Sequence, residues 1–366
     1  MKKHYFWTIA FFYAVAVFCL ASTTPISPHE AKIFYTSSDI VSLLMKWGTH
    51  STDILGIDTF LGLRLFFIFF ALMSIWLFYR LTFYQFSKAE DRYLATLIFM
   101  LLPGIVTGAS LANIAIIVLP VILLFVLLYE KGYFWILPFL MLILFFIHEA
   151  SVIFFIAILI YAMIYKEKKL MISSLVFLIA FGLLAKGIAI RGRPSGHFAE
   201  IFGLYATVFS PFVFIYFFYT MYRTLLKGEK PLIWFISFTA LAISLLLSLR
   251  QQIHITDFAP YVMIAVGFML QGYYQSIRVR LPRFQKPYRI GFRFVIAVLV
   301  FNMLLVVFHQ VTYYMSGKYE NHFAKRIYQP YDLAQRLKEK GNSCYDTSNM
   351  RIRLQLKYYT IPSCNN

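Results

Sequence analysis

The sequence predicts an all-α polytopic membrane protein of about eleven transmembrane helices, with a small α/β extracytoplasmic C-terminal tail. Three observations predict it. Of 366 residues, 60% are hydrophobic and only 14% charged, more apolar surface than a soluble core needs. The apolar residues fall in continuous Leu-, Ile- and Phe-rich runs, without the period-two alternation of a membrane β-barrel. The Lys and Arg residues collect in short connections between those runs, the pattern of loops kept beside anionic headgroups in the cytoplasm. That distribution also sets aside nucleic acid as the partner, despite a net charge of +18.

The run 5–21 follows Lys2 and Lys3 and resembles a signal peptide, but the many later runs make it an uncleaved first span with its N-terminus inside. The loop 22–59 is then outside. Within it, 38–47 carries Ile40, Leu43, Leu44 and Trp47 on one helical face, with Ser38 or Asp39 as its cap. This suits a helix lying in the interface. Further spans follow at 60–81, 93–110, 111–129, 133–147, 151–165, 170–190, 206–222, 231–249, 258–271 and 294–309. The segment 276–293, with Arg278, Arg280, Arg283, Lys286, Arg289 and Arg293, is a cytoplasmic connection. The inner connections and ends hold 18 Lys and Arg against seven on the outer side before the tail, which fixes the expected orientation.

The spans make one transmembrane domain, 1–309, and the polar residues 310–366 an extracytoplasmic tail. In the tail, 330–340 reads as a helix stopped by Gly341, and 343–345 and 354–360 read as strand-like pieces. Cys344 and Cys364 either close the tail as a disulfide or stand as two thiols.

No P-loop, GxGxxG, HExxH or CxxC motif is present, and the eight His show no ligand spacing, so no metal residues are assigned; a divalent metal stays open. The polar residues that stand out all map to the outer side: His29, Glu30, Arg64, Asn113, His148, Glu149, Lys186, Arg191, Arg193, His197, Arg250, His254 and Asp257. Ionisable groups at a bilayer edge are costly unless they pair or face a wet cavity. Carboxylates and guanidiniums in one such cavity suit a substrate with a phosphate and a group to be deprotonated. Each has a plainer role beside this: solvated loop charge for Glu30, Arg191 and Arg193, headgroup snorkelling for Arg64, turn structure for His148 and Glu149.

Glu30 with Tyr35, the interfacial helix to Trp47, and Gly56 followed by Leu63-Arg64-Leu65 resemble the multispan GT-C glycosyltransferases, in particular the protein-mannosyltransferase and aminoarabinose-transferase branch. Looser similarity runs through 101–128, 137–152, 248–264 and the tail. The chain departs from the family at His29 and Asn113, where acidic residues are usual, and at His148-Glu149, where Lys-Gly is usual. The resemblance implies inverting transfer of a sugar from a polyprenyl-phosphate donor to a lipid or glycan acceptor on the outer face of a bacterial inner membrane. It implies Glu30 as general base on the acceptor hydroxyl or amine, or as the residue that orients it, with Arg64, Arg191, Arg193 or Arg250 on the phosphate. Either Glu149 or Asp257 supplies a second carboxylate or catalysis differs from the family's, and His29, Tyr35 and His148 are further substrate contacts. A lipid-linked polysaccharide polymerase or ligase, a transporter and a non-catalytic relative are the alternatives. The longest loop between spans being the early one, and the lack of an internal repeat, weigh against the first two.

Overall fold

The computed structural model of the chain describes residues 3–56, 59–184, 196–315 and 322–364, and every regular element among them is helical. Three of the described helices are long and apolar enough to cross a bilayer unbroken: His4–Thr23, Phe60–Gln85 and Pro282–Val307. In the last, only 6% of the most apolar window is buried, and Phe294 and Phe301 lie exposed. Such surface is stable only in lipid, so the chain is an integral membrane protein.

The remaining expected spans are shorter or broken, and eleven uninterrupted crossings are not what the described residues form. Ile114–Glu130, Leu137–Ile147, Ser151–Tyr165 and Leu232–Ser248 are apolar helices of 10–17 residues. The expected span 93–110 divides into Ala89–Leu101 and Pro103–Ser110, bent by 58°. The expected span 206–222 is instead Phe198–Phe209 and Pro211–Lys227, bent by 109°. Both breaks fall at a proline, which supplies no N–H and pushes the preceding residue out of the helical region. At the second break the buried Ser210 takes φ +78°, and its Oγ accepts a 2.8 Å hydrogen bond from Asn302 Nδ2. Of the basic segment expected as a connection, the part from Pro282 on is the first half of a continuous helix, Pro282–Val307.

By its internal packing the chain divides into two compact units. One comprises Met1–Ala10, Phe70–Val106 and Ile114–Met303; the other comprises Phe11–Phe69, Thr107–Asn113 and Leu304–Asn366. In the first, the Ser151–Tyr165 helix packs against both Lys168–Leu183 and Leu232–Ser248, and Phe125 meets Phe154 edge to face at 4.9 Å.

In the second unit the expected loop 22–59 is largely helical. Pro28–Thr36 forms a helix that the notional loop hides, and Ile40–Leu55 extends the expected amphipathic helix past Trp47 to the left-handed Gly56. Asp39 occupies the cap position without a side-chain bond to the helix backbone, its carboxylate accepting from Ser37 Oγ at 2.9 Å instead. Gly48 and Gly62 bring this helix against the next: a Cβ on Gly48 would sit 2.1 Å from Gly62 O. Of the two strand-like pieces expected in the tail, 343–345 lies in no regular element and most of 354–360 is α-helical. Asn349 Oδ1 accepts from Arg351 N and starts a helix, Met350–Tyr358, that buries Gln355 and Leu356. Alternating apolar and polar residues at 354–358 mimic a strand, but the cap and the docked face decide for helix. The other tail helix, Lys325–Glu339, begins earlier than expected and carries Pro330 inside it. Cys344 and Cys364 are disulfide-bonded, and Tyr345 N donates to Pro362 O at 3.0 Å beside them.

Candidate functional site

Ser27-Pro28-His29-Glu30 is a helix-start signature: hydroxyl at the cap, proline at the first position, carboxylate three residues on. The structure forms that capping box in full. Ser27 Oγ accepts from Glu30 N at 3.2 Å, and Glu30 Oε2 accepts from Ser27 N at 2.8 Å. The box turns the Glu30 carboxylate inward, where it is completely buried.

There it meets Arg64 in a bidentate pair, Nε to Oε1 at 2.8 Å and Nη2 to Oε2 at 2.9 Å. Ala112 N donates to Oε1 at 2.8 Å. Glu30 thus accepts four hydrogen bonds, one for each lone-pair position a carboxylate offers. Arg64 is as fully used. Nη1 donates to Ala21 O at 2.8 Å and Thr24 O at 2.6 Å, and Nη2 also donates to Pro25 O at 3.0 Å, so all five N–H groups are engaged. Burial alone would raise the Glu30 pKa; the Arg64 charge and hydrogen bonds, with those from Ala112 and Ser27, outweigh it and hold the carboxyl below its ordinary value.

The tail closes over the same segment. Tyr359 Oη accepts from Ile26 N at 3.2 Å, and Gln355 Nε2 donates to Ile26 O at 2.8 Å. Burial raises the Tyr359 hydroxyl well above the usual phenol value. His309 Nε2 lies 3.0 Å from Tyr328 Oη, and burial first, then the nearby His322 and Arg64 charges, keep this imidazole below its ordinary value despite the Val306 carbonyl. Beside Glu30, His29 is exposed, and Tyr35 is half-buried under the Lys357 ammonium, 4.8 Å from its ring centre.

In the other unit a second acid–base pair forms. His148 ends the Leu137–Ile147 helix in an extended conformation, and Asp257 closes the 3₁₀ turn Ile255–Asp257. His148 Nε2 lies 3.3 Å from Asp257 Oδ1, the side chains 11% and 32% exposed. His148 Nδ1 is buried and has no hydrogen-bond partner among the described residues. Behind it, Tyr261 Oη donates to Ser151 Oγ at 3.3 Å, and Ser151 donates to Leu144 O at 2.8 Å. Glu149 and Arg250 are exposed.

The structure therefore brings Glu30 to Arg64 and His148 to Asp257. Arg191 and Arg193 lie outside the described residues. Sequence reasoning missed Ala112, Gln355 and Tyr359, for which no local signal exists, and the Ser27 cap, for which one does. Among the described residues no three His, Cys, Asp or Glu converge as a metal site.

This multispan all-helical chain with short broken helices and a small disulfide-bonded tail is similar in fold to a solved structure. The chain aligns with the crystal structure of ArnT from Cupriavidus metallidurans in the apo state at a TM-score of 0.58 and 12% sequence identity, covering 98% of this chain and 84% of that one. No family model and no curated protein matches the chain.

Proposed function

We propose that this protein is a membrane glycosyltransferase of the GT-C type. It moves a sugar from a polyprenyl-phosphate donor to a cell-envelope acceptor on the outer face of a bacterial inner membrane, with its N-terminus cytoplasmic and its tail outside. The observation that carries this reading is the likeness to ArnT along nearly the whole chain, in a sequence whose candidate site residues all map to one side of the bilayer.

The roles within the site follow from the hydrogen-bond count. Glu30 and Arg64 have no lone pair or N–H left for a substrate, so we assign them positioning in place of the base and phosphate roles expected above. The base falls to His148. Asp257 accepts the Nε2 proton, fixes the tautomer and stabilises the imidazolium that forms. Nδ1 then takes the proton from the acceptor hydroxyl or amine as that atom bonds to the sugar's anomeric carbon. The anomeric carbon–oxygen bond breaks, and polyprenyl phosphate leaves with the electron pair. Arg250, with Arg191 and Arg193, is the proposed partner of that phosphate, and Glu149 is a proposed substrate contact.

The test is transfer by the purified protein from polyprenyl-phosphate sugars to extracted envelope lipid, followed by mass spectrometry. Transfer that disappears in His148→Gln, with the fold intact, supports the reading. Absence of transfer from every donor overturns the enzyme assignment, and unchanged transfer in His148→Gln removes the base assignment alone.

A further inference from the structure

One cavity in the first unit has neither His148 nor Asp257 in its lining. It has a volume of about 930 Å³ and opens where the Ser151–Tyr165 and Pro211–Lys227 helices end and the Leu232–Ser248 helix begins, against the Val266–Arg278 helix. The distribution of Lys and Arg assigns this end of the helices to the cytoplasmic face.

Its lining is polar and cationic. Arg223, Lys227 and Lys230 contribute three positive charges against the single carboxylate of Glu229, and tyrosine hydroxyls stand among them. Arg223 is aimed by its neighbour: Nη1 donates to Oγ of the buried Ser276 at 2.8 Å, its only hydrogen-bond partner among the described residues. The wall is held in place by Tyr165 Oη, which donates to Lys230 O at 3.0 Å, and by Tyr216 Oη, which lies 2.8 Å from Tyr288 Oη. None of the three cations has an ion-pair partner among the described residues. Cations on a merely solvated loop would not need a walled cavity lined with hydroxyls. A basic recess between transmembrane helices at the cytoplasmic surface has the chemistry of an anionic headgroup site. The volume falls within the range of built ligand sites.

We propose that this cavity binds a phosphate-bearing ligand at the cytoplasmic face, with Arg223, Lys227 and Lys230 as its charge partners. A membrane phospholipid headgroup and a soluble phosphate share that chemistry. This site is independent of the proposed sugar transfer.

The experiment uses the full chain in nanodiscs of zwitterionic lipid with a minor fraction of phosphatidylglycerol. Native mass spectrometry counts retained anionic lipid, and a parallel arm titrates inorganic phosphate followed by phosphorus NMR. Three variants accompany the native chain. Arg223→Gln/Lys227→Gln/Lys230→Gln strips the cavity charge. Arg223→Lys/Lys227→Arg/Lys230→Arg keeps it. Arg278→Gln/Arg283→Gln/Lys286→Gln strips equal charge from the same face outside the cavity. The stripped variant is expected to lose about ten-fold or more in phosphate-ligand binding, while the other two keep it. Retention of phosphatidylglycerol identifies a lipid source; saturable inorganic phosphate without lipid retention identifies a soluble one, and either supports the site. Binding of neither probe, or equal loss in the two stripped variants, overturns it. Should the stripped variant fail to fold, Lys227→Gln/Lys230→Gln, which keeps the Arg223–Ser276 bond, takes its place, and binding unchanged from the native chain in that variant overturns the site.

Discussion

Glu30–Arg64 and His148–Asp257 are both acid–base pairs whose members come from one list of outward polar residues, yet the structure treats them differently. The first pair is wholly buried and saturated: four acceptors used on the carboxylate, five donors used on the guanidinium. The second is part-exposed, makes one contact of 3.3 Å, and leaves an imidazole nitrogen unpartnered. A saturated pair has nothing to give a substrate without breaking the fold, whereas a half-saturated pair retains a lone pair for proton transfer. On the proposed roles, hydrogen-bond count, more than residue type, separates scaffold from chemistry.

The sharpest way to test that contrast is to remove the open pair. His148→Gln should lower transfer by about 10²–10⁴-fold, the usual contribution of a positioned base, and change the thermal midpoint little. Asp257→Asn should fall in the same direction by less, since it acts through His148. Next in size, Arg64→Ala or Glu30→Gln should cost about 3–5 kcal/mol of stability, measured by denaturant titration in detergent, because one buried charge is left unpaired. In Glu30→Gln the amide NH₂ would also oppose the Ser27 or Ala112 N–H.

The same pair has a pH signature. Its carboxyl is held below the unfolded value of 4.5, so the folded state binds fewer protons. That stability is fully present above pH 4.5 and is lost as pH falls from there toward the folded value. Acid unfolding of the native chain should therefore be steeper below pH 4.5 than that of Glu30→Gln. Smaller again, Cys344→Ser/Cys364→Ser opens a closure spanning 20 residues and should cost about 3 kcal/mol, read as faster proteolysis of the tail. Gly48→Ala, whose Cβ would overlap Gly62 O, should cost about 1–3 kcal/mol by forcing the two helices apart.

The sequence made much of this visible. Continuous apolar runs located most helices, and the prolines at 103 and 211 already marked where two expected spans break. The spacing of Ser27 and Glu30 announced a capping box inside what otherwise reads as a loop. The pairing of Glu30 with Arg64 was suggested by shared topology, but its saturation was not. That depends on Ala112 and on carbonyls at Ala21, Thr24 and Pro25, backbone groups that carry no sequence signature. The docking of Gln355 and Tyr359 on Ile26 joins residues more than 300 apart, beyond any local pattern.

The division of labour between the two pairs is tested most directly by transfer activity per folded molecule, measured side by side for Glu30→Gln and His148→Gln. The account predicts that Glu30→Gln loses activity only in proportion to the folded fraction it loses, while His148→Gln stays folded and inactive. A folded, inactive Glu30→Gln beside an active His148→Gln would contradict it.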